Sequence, residues 1–207
     1  IDKSTLSQQT LMELLINGIT NKNIICGPIY GSIANFDDFS TWKNVILNEN
    51  HELIEARWNF QELHGSIDLQ WLPSTLTHFE IEKRGFIREY LVGTLDLSSL
   101  PESLQCLKLR GHHFDGGVSL TTLPDTLEIL NIANNRLSGT LDLRSLPPKM
   151  TTLQLSINQF EGVTDFSHLP KSLTQLDISH NVDLEGVIVL EEATMFSQGL
   201  RMSRRQK

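Results

Sequence analysis

A period of 23 residues in the second half of the chain constrains the fold more than any other feature. Four glycines follow one another at this spacing, and a proline comes eight residues after each of them. The glycines are Gly93, Gly116, Gly139 and Gly162, and the prolines are Pro101, Pro124, Pro147 and Pro170. Self-similarity at a fixed period of about 20–50 residues is typical of solenoids. Because a solenoid is a scaffold, the pattern predicts a binding surface on one face.

Apolar residues recur at fixed positions in each unit and would stack into three columns along the solenoid. The columns are Leu76, Leu104, Leu127, Met150 and Leu173; Phe79, Leu107, Leu130, Leu153 and Leu176; and Ile81, Leu109, Ile132, Leu155 and Ile178. Each buried aliphatic side chain contributes roughly 1.5–3 kcal/mol, so stacked units are stable where single ones are not. The alternation within each unit has a period of two, which predicts short parallel strands.

A column of asparagines follows the strands. Asn135, Asn158 and Asn181 each come three residues after the last apolar position. A buried amide side chain carries both donors and acceptors and can bond two neighbouring units at once. His112 and Arg84 occupy this column in earlier units, so we expect a local loosening or a bulge there.

These positions together form the pattern L-x-x-L-x-L-x-x-N, as in LEILNIANNRL at 127–137 and MTTLQLSINQF at 150–160. The pattern resembles that of leucine-rich-repeat proteins, and the longer form LPxxLxxLxLxxNxLxGxLDL is most similar to the repeats of kinetoplastids and related protists. The resemblance implies an α/β solenoid with a parallel β-sheet on the concave face. It also implies recognition of proteins. Proline disfavours helix just before it, so the convex side is predicted to be thin, with extended or 3₁₀ segments.

Three regions are predicted along the chain: an N-terminal helical cap with a degenerate first repeat (1–52), the repeat array (53–190), and a C-terminal cap with a basic tail (191–207). Helical spacing of apolar residues predicts a capping helix within 4–17 and a second short helix at 40–47. The array is expected to begin near Gly31. The unit that starts at Gly65 carries five extra residues within 83–92, which is interpreted as a surface loop or a recognition loop. The tail, 198–207, is expected to be frayed or to contact an acidic partner.

Charge and cysteine usage narrow the functional classes. The net charge of −8 makes nucleic-acid binding an unfavourable interpretation, because such affinity depends on neutralising phosphates. No apolar run is long enough for a transmembrane segment. The two cysteines, Cys26 and Cys106, have no metal-ligand spacing, and no Asn-x-Ser/Thr sequon occurs. These features favour a cytoplasmic location, with a surface or secreted protein as the alternative.

Outward-facing strand residues are the candidate partner-binding site. They are Arg57, Phe60, Glu80, Glu82, Lys83, Lys108, Arg110, Asn131, Asn134, Gln154, Ile157 and Asp177. Glu80 and Glu82 would lie beside Lys108 and Arg110 on adjacent strands about 4.8 Å apart, which is consistent either with cross-strand ion pairs or with a partner-binding patch. Phe60 and Ile157 are apolar at positions where polar residues would be tolerated, which favours contact with a partner.

No catalytic, metal or cofactor site is predicted. A column of Asp68, Asp96, Ser119, Asp142 and Asp165 is explained by turn hydrogen bonding more simply than by a cation. The sequence therefore predicts a non-catalytic protein-binding module, either a monomer or a subunit of a hetero-complex. The substrate-recognition arm of an LPxxL-type ubiquitin ligase and a structural subunit of a larger assembly remain alternatives.

Overall fold

The computed structural model describes residues 2–27, 36, 38–83, 90–187 and 201–203. The N-terminal cap consists of a 3₁₀ turn (Lys3–Thr5), the helix α1 (Gln8–Leu15) and one further turn, α2 (Asn23–Cys26). Ser7 caps α1, since its side chain accepts a hydrogen bond from the amide of Thr10. Leu11, Met12 and Leu15 are buried, so the apolar face of α1 closes the first end of the core, and the capping helix predicted within 4–17 is confirmed.

The predicted second helix at 40–47 is wrong. A 3₁₀ turn covers Phe39–Thr41, and β1 (Val45–Leu47) then pairs in an antiparallel manner with β2 (Leu53–Arg57). Asn44, immediately before β1, has φ 53°, a left-handed conformation that a helix does not allow. The β-branched residues Val45 and Ile46 also prefer a strand.

Within the described ranges, one sheet of eight strands forms the concave face, and it is parallel apart from β1. In spatial order the strands are β1, β2, β3 (His78–Glu80), β5 (Cys106–Lys108), β7 (Ile129–Asn131), β9 (Thr152–Gln154), β12 (Gln175–Asp177) and β14 (Arg201–Ser203). The register aligns Ala56, Phe79, Leu107, Leu130, Leu153 and Leu176. These residues are at most 1% exposed. The predicted apolar columns and the solenoid are therefore confirmed.

A second set of parallel strands, which the sequence did not predict, follows the asparagine column. One sheet contains β4 (Val92–Thr94), β6 (His113–Gly117), β8 (Arg136–Gly139) and β10 (Gln159–Phe160); a smaller one pairs β11 (Gly162–Asp165) with β13 (Leu184–Val187). The period-marking glycines lie in these strands, and φ is 75° at Gly116 and 85° at Gly139. Glycine adopts this left-handed conformation without a steric penalty, which explains why the 23-residue period is marked by that residue.

The convex side is thin, as predicted. Each proline opens a turn in which its carbonyl accepts a hydrogen bond from the amide three residues later, for example Leu104 to Pro101 at 2.9 Å and Met150 to Pro147 at 3.0 Å. The acidic column closes neighbouring turns: Asp96 accepts from the amide of Ser98 at 2.9 Å. Asp142 accepts in the same way from Arg144 at 3.1 Å. The prediction of turn hydrogen bonding for this column is thus confirmed at these positions.

The asparagine column forms the predicted hydrogen-bond ladder. Asn158 accepts from the amide of Leu137 at 3.0 Å and donates to the carbonyls of Ile132 and Leu155 at 3.0 and 3.1 Å. Asn135 and Asn181 repeat this arrangement. Each amide thus joins its own turn to the one before it.

The loosening expected at His112 is not observed. Its Nδ1 accepts from the amide of Leu91 at 3.3 Å, and its Nε2 lies 3.0 Å from the carbonyl oxygen of Ile81. The imidazole therefore replaces both functions of the amide side chain. Arg84, most of the insertion at 83–92 and the proposed start near Gly31 lie outside the described residues.

The expectation of a frayed C-terminal tail is wrong for Arg201–Ser203. This segment is β14, which pairs in parallel with β12, so that Leu176 lies opposite Met202 in the register. Backbone pairing with an existing strand edge requires no leucine pattern, so the repeat pattern does not predict this strand. The other tail residues lie outside the described ranges, and the division into three regions stays a prediction.

Candidate functional site

An ion-pair network spans the N-terminal half of the concave face. Arg57 Nη2 lies 2.9 Å from Glu55 Oε2, and Arg57 Nε lies 3.9 Å from Glu80 Oε1. Lys108 Nζ lies 3.2 Å from the same oxygen of Glu80, and Asn59 Nδ2 donates to Glu80 Oε2 at 2.7 Å. The cross-strand pairing predicted for Glu80 and Lys108 is therefore confirmed.

Glu80 is the centre of this network, and its side chain is only 9% exposed. Burial by itself would raise the pKa of Glu80, but the hydrogen bond from Asn59 and the charges of Lys108 and Arg57 outweigh it and lower that pKa. The group is consequently a carboxylate at neutral pH. Lys108 serves to hold it, so this lysine is a structural element of the face.

Other polar residues of the face are oriented by hydrogen bonds. Asn131 Nδ2 donates to Glu82 Oε1 at 3.0 Å, and Asn131 Oδ1 accepts from the amide of Ala133 at 3.2 Å. Asp177 accepts from the amide of Ser179 at 3.1 Å. Side chains held in one geometry lose less entropy when a partner binds. The concave face is thus a preorganised polar surface.

The predicted site residues fall into three groups by exposure. The exposed group contains Phe60, Arg110, Asn134 and Ile157; the half-buried group contains Arg57, Glu82, Lys108, Gln154 and Asp177; and the buried group contains Glu80, Lys83 and Asn131. Arg110 makes no hydrogen bond or ion pair through its side chain with any described residue. It is therefore the cation of the face that is best placed to meet an external acidic group.

Lys83 lies away from the ion-pair network, beside the second sheet. It is 4% exposed, and its Nζ lies 3.8 Å from the centre of the Tyr90 ring. Tyr90 stacks on His113 at 3.7 Å with 13° between the rings, and Arg136 Nη2 lies 3.5 Å from His113 Nε2. Sequence reasoning missed Tyr90, His113 and Arg136 because it did not predict the second sheet, on which two of them lie.

One backbone position immediately after the concave strands is left-handed in most turns. The residues there are Phe60, Gly111, Asn134, Ile157 and His180, with φ of 61°, 85°, 56°, 56° and 59°. We call these five residues the rim column, because they lie between the concave strands and the second sheet. Phe60 and Ile157 are 54% and 44% exposed.

Two depressions adjoin the rim column. A groove of about 460 Å³ is lined by Phe60 together with Asn44, Ile46, Arg57 and Asn59. A pocket of about 270 Å³ opens at Gly111, where the column has no side chain, and its lining includes Asn134, His113 and Arg136. Ile46 and Asn44 were also missed by sequence reasoning, because β1 had been predicted as a helix.

Among the residues that the structure describes, no group of three or more histidine, cysteine or acidic side chains could hold a metal ion. Within the same ranges, no helix combines the length and the hydropathy that crossing a membrane requires. Both cysteines are buried free thiols, and burial raises the pKa of each to about 12. A thiol with such a pKa is a poor nucleophile at neutral pH.

The solved structures that this chain is similar to share its architecture. The ectodomain of the receptor kinase SOBIR1 from Arabidopsis thaliana, described as a leucine-rich-repeat ectodomain, is 24% identical with a TM-score of 0.60, over 90% of this chain and 97% of that one. This chain has the leucine-rich-repeat fold. A pollen receptor kinase 3 structure has a TM-score of 0.66 at 21% identity and covers 95% of this solenoid and 92% of its own chain.

A third similar structure contains a complex. It is the BIR3–SERK2 complex from Arabidopsis thaliana, with a TM-score of 0.53 and 15% identity over 86% of this leucine-rich-repeat solenoid and 92% of that chain. No protein-family model matches the chain, and no curated protein matches it. At these identities the likeness concerns the fold, and the finer resemblance to protist repeats stays a prediction.

Proposed function

We propose that this leucine-rich-repeat solenoid is a non-catalytic module that binds a protein or peptide on its concave face. The observation that carries the proposal is the combination of a hydrogen-bonded, preorganised face with exposed Arg110, Phe60 and Ile157. An exposed cation and exposed apolar groups on a rigid scaffold are typical of a recognition surface. The similar BIR3–SERK2 structure, which is a complex between proteins, supports the same interpretation.

The fold comparisons favour a surface or secreted location over the cytoplasmic one that cysteine usage predicts. The similar SOBIR1 structure is described as an ectodomain. The cysteine argument is weak in this structure, because Cys26 and Cys106 are each 2% exposed and their burial protects the thiols in either compartment. Protease accessibility of an epitope-tagged protein on intact cells distinguishes the two locations.

A pull-down with variant proteins tests the binding proposal. The wild-type chain and the double variant Arg110→Glu/Gln154→Arg are compared as baits, because neither side chain forms a hydrogen bond or ion pair with the described residues. Lys149→Glu, in a proline turn on the convex side, is the matched control. We expect mass spectrometry to identify a protein that the wild type and the control retain and the double variant loses. Retention of every specific partner by the double variant would contradict the proposal.

A further inference from the structure

The residue types in the rim column are unusual for the backbone conformation that they share. Glycine and asparagine adopt left-handed φ readily, and the column has them at Gly111 and Asn134. Phenylalanine and especially β-branched isoleucine do not, yet Phe60 and Ile157 have φ of 61° and 56°. A bulky residue in this region is a true outlier. The repeat could satisfy the same turn with Asn or Gly, as it does in two neighbouring units.

Neither of the two apolar side chains of the column belongs to the buried core. Phe60 is 54% exposed and Ile157 is 44% exposed. Each therefore leaves about half of a large apolar side chain exposed while it adopts a backbone conformation that raises the energy of the turn. Outliers of this kind cluster at ligand-binding sites, where the surroundings hold them in place. The exposed apolar surface at these two positions is therefore a candidate contact for a partner.

The spacing of these two residues matches an extended peptide. Phe60 follows β2 and Ile157 follows β9, and the sheet order β2, β3, β5, β7, β9 puts four strand spacings between them. At about 4.8 Å for each spacing, the two positions are roughly 19 Å apart. An extended chain advances about 3.3 Å for each residue, so about six residues cover this distance. Because six is even, side chains at both ends of such a segment point to the same face.

The middle of the column is suited to an acidic group. Gly111 leaves the pocket of about 270 Å³ open there, and Arg136 lines it. Arg110 is exposed beside it. The pKa of His113, which also lines the pocket, is lowered by partial burial and then by the charges of Arg136 and Lys83, as expected where the local potential is positive.

Two carboxylates lie near these cations. Glu82 accepts from Asn131, and Asp115 is opposite Arg136 in the strand register. Neither carboxylate lies within ion-pair distance of Arg110 or Arg136 in the described part of the chain. Both guanidinium groups thus remain able to bind a carboxylate from outside, in the bidentate geometry that arginine favours.

We propose that the rim column binds an extended segment of the partner protein, with two apolar side chains about six residues apart against Phe60 and Ile157 and a carboxylate between them near Gly111. This inference rests on the proposed function, since it specifies which edge of the concave face meets the partner and what kind of segment it accepts.

Selection from a phage-displayed library of random twelve-residue peptides tests the inference. We expect the enriched peptides to carry apolar residues about six positions apart with Asp or Glu between them. Synthetic versions are then titrated against Phe60→Asn and Ile157→Asn, which keep a residue suited to left-handed backbone. Each variant is expected to weaken binding at least tenfold. Val182→Asn, which removes an apolar side chain that is 79% exposed outside the column, is the control and is expected to bind normally.

The outcomes separate this inference from the proposed function. Failure to enrich any peptide, enrichment without the six-residue spacing, or unchanged affinity of both Asn variants would overturn the inference. If the partner identified by pull-down is lost with Arg110→Glu/Gln154→Arg but retained by the Asn variants, the concave-face function stands and the rim inference alone is wrong. If that partner is retained by the double variant, the proposed function itself fails.

Discussion

The Nε2 atom of His112 lies 3.0 Å from the carbonyl oxygen of Ile81, while Nδ1 of the same ring accepts the amide of Leu91. For both contacts to be hydrogen bonds, the proton must be on Nε2 and the ring must be neutral. The imidazole thereby fulfils, in one turn of the solenoid, the part that Asn135 fulfils in the next. The presence of histidine instead of asparagine at this position makes one step of the ladder sensitive to pH.

Stability is expected to fall as the pH drops from about 6.5 to 4. Burial is the main reason that the pKa of His112 falls from 6.5 to about 4 in the folded protein, and the charges of Lys83 and His113 add to it. Between these pH values the unfolded chain binds a proton that the folded chain does not. The contribution of the neutral His112 ring to the free energy of unfolding is therefore complete above pH 6.5 and is lost as the pH falls to about 4. The resulting decrease in the free energy of unfolding is about 3 kcal/mol. Urea unfolding at several pH values measures it.

The variant His112→Asn is expected to flatten this pH dependence, since an amide does not titrate. His180→Asn, which removes an exposed imidazole from the rim column, serves as the control and is expected to keep the slope. An unchanged slope in His112→Asn would assign the pH dependence to other groups.

The ladder itself is expected to be a large source of stability. Asn158→Ala leaves the amide of Leu137 without its partner, whereas the carbonyls of Ile132 and Leu155 keep the hydrogen bonds from Asn135 and Asn181. A buried group left unsatisfied costs about 1–3 kcal/mol, so we expect a loss of about 1–3 kcal/mol in the free energy of unfolding. Chemical denaturation measures it, with the exposed Gln159→Ala as the control. A loss below that of the control variant would mean that water replaces the amide.

Ile157→Asn is expected to stabilise the protein. A left-handed conformation costs an ordinary residue roughly 1–2 kcal/mol, and asparagine tolerates it better, as Asn134 does at the equivalent position with the same φ of 56°. Ile157 is 44% exposed, so the replacement removes only part of the burial that a core isoleucine would provide. We expect a gain of about 0.5–1 kcal/mol, visible as a higher Tm by calorimetry. A lower Tm would show that Ile157 has a packing role.

Lys108 and Arg110 are expected to differ in their effect on stability. Lys108→Glu would place a second carboxylate against the buried Glu80, and we expect it to cost roughly 2 kcal/mol. Arg110→Glu is expected to change stability by less than about 0.5 kcal/mol, because the side chain is exposed. Thermal unfolding of the two single variants checks this difference. Equal destabilisation would contradict the structural role assigned to Lys108.

Much of the fold was predictable because its determinants are periodic in the chain. The glycine, leucine and asparagine positions each recur every 23 residues, and each has a local physical reason: left-handed backbone, burial in a column, or amide bonding between turns. Where the period is broken, the prediction was less secure. The segment that contains β1 had helical spacing over too few residues to distinguish helix from strand, and pairing with β2 decided the outcome.

The candidate site was predictable only as a face. Outward positions on the strands follow from the alternation, so the sequence identifies Arg110 and Gln154 as concave residues. It does not distinguish Arg110, which is exposed, from Lys108, which is bound to Glu80. That distinction depends on distances between side chains from different turns.

The sequence by itself thus determined the solenoid, its parallel concave sheet and its ladder, because these depend on residue type at a repeated position. Only the tertiary structure decided that His112 substitutes for an asparagine, that Phe60 and Ile157 share a left-handed rim, and that a second sheet brings Arg136 to the pocket at Gly111. The physical reason is that these features arise where different turns meet. Contacts between turns depend on the register of one unit against the next, which no single repeat specifies.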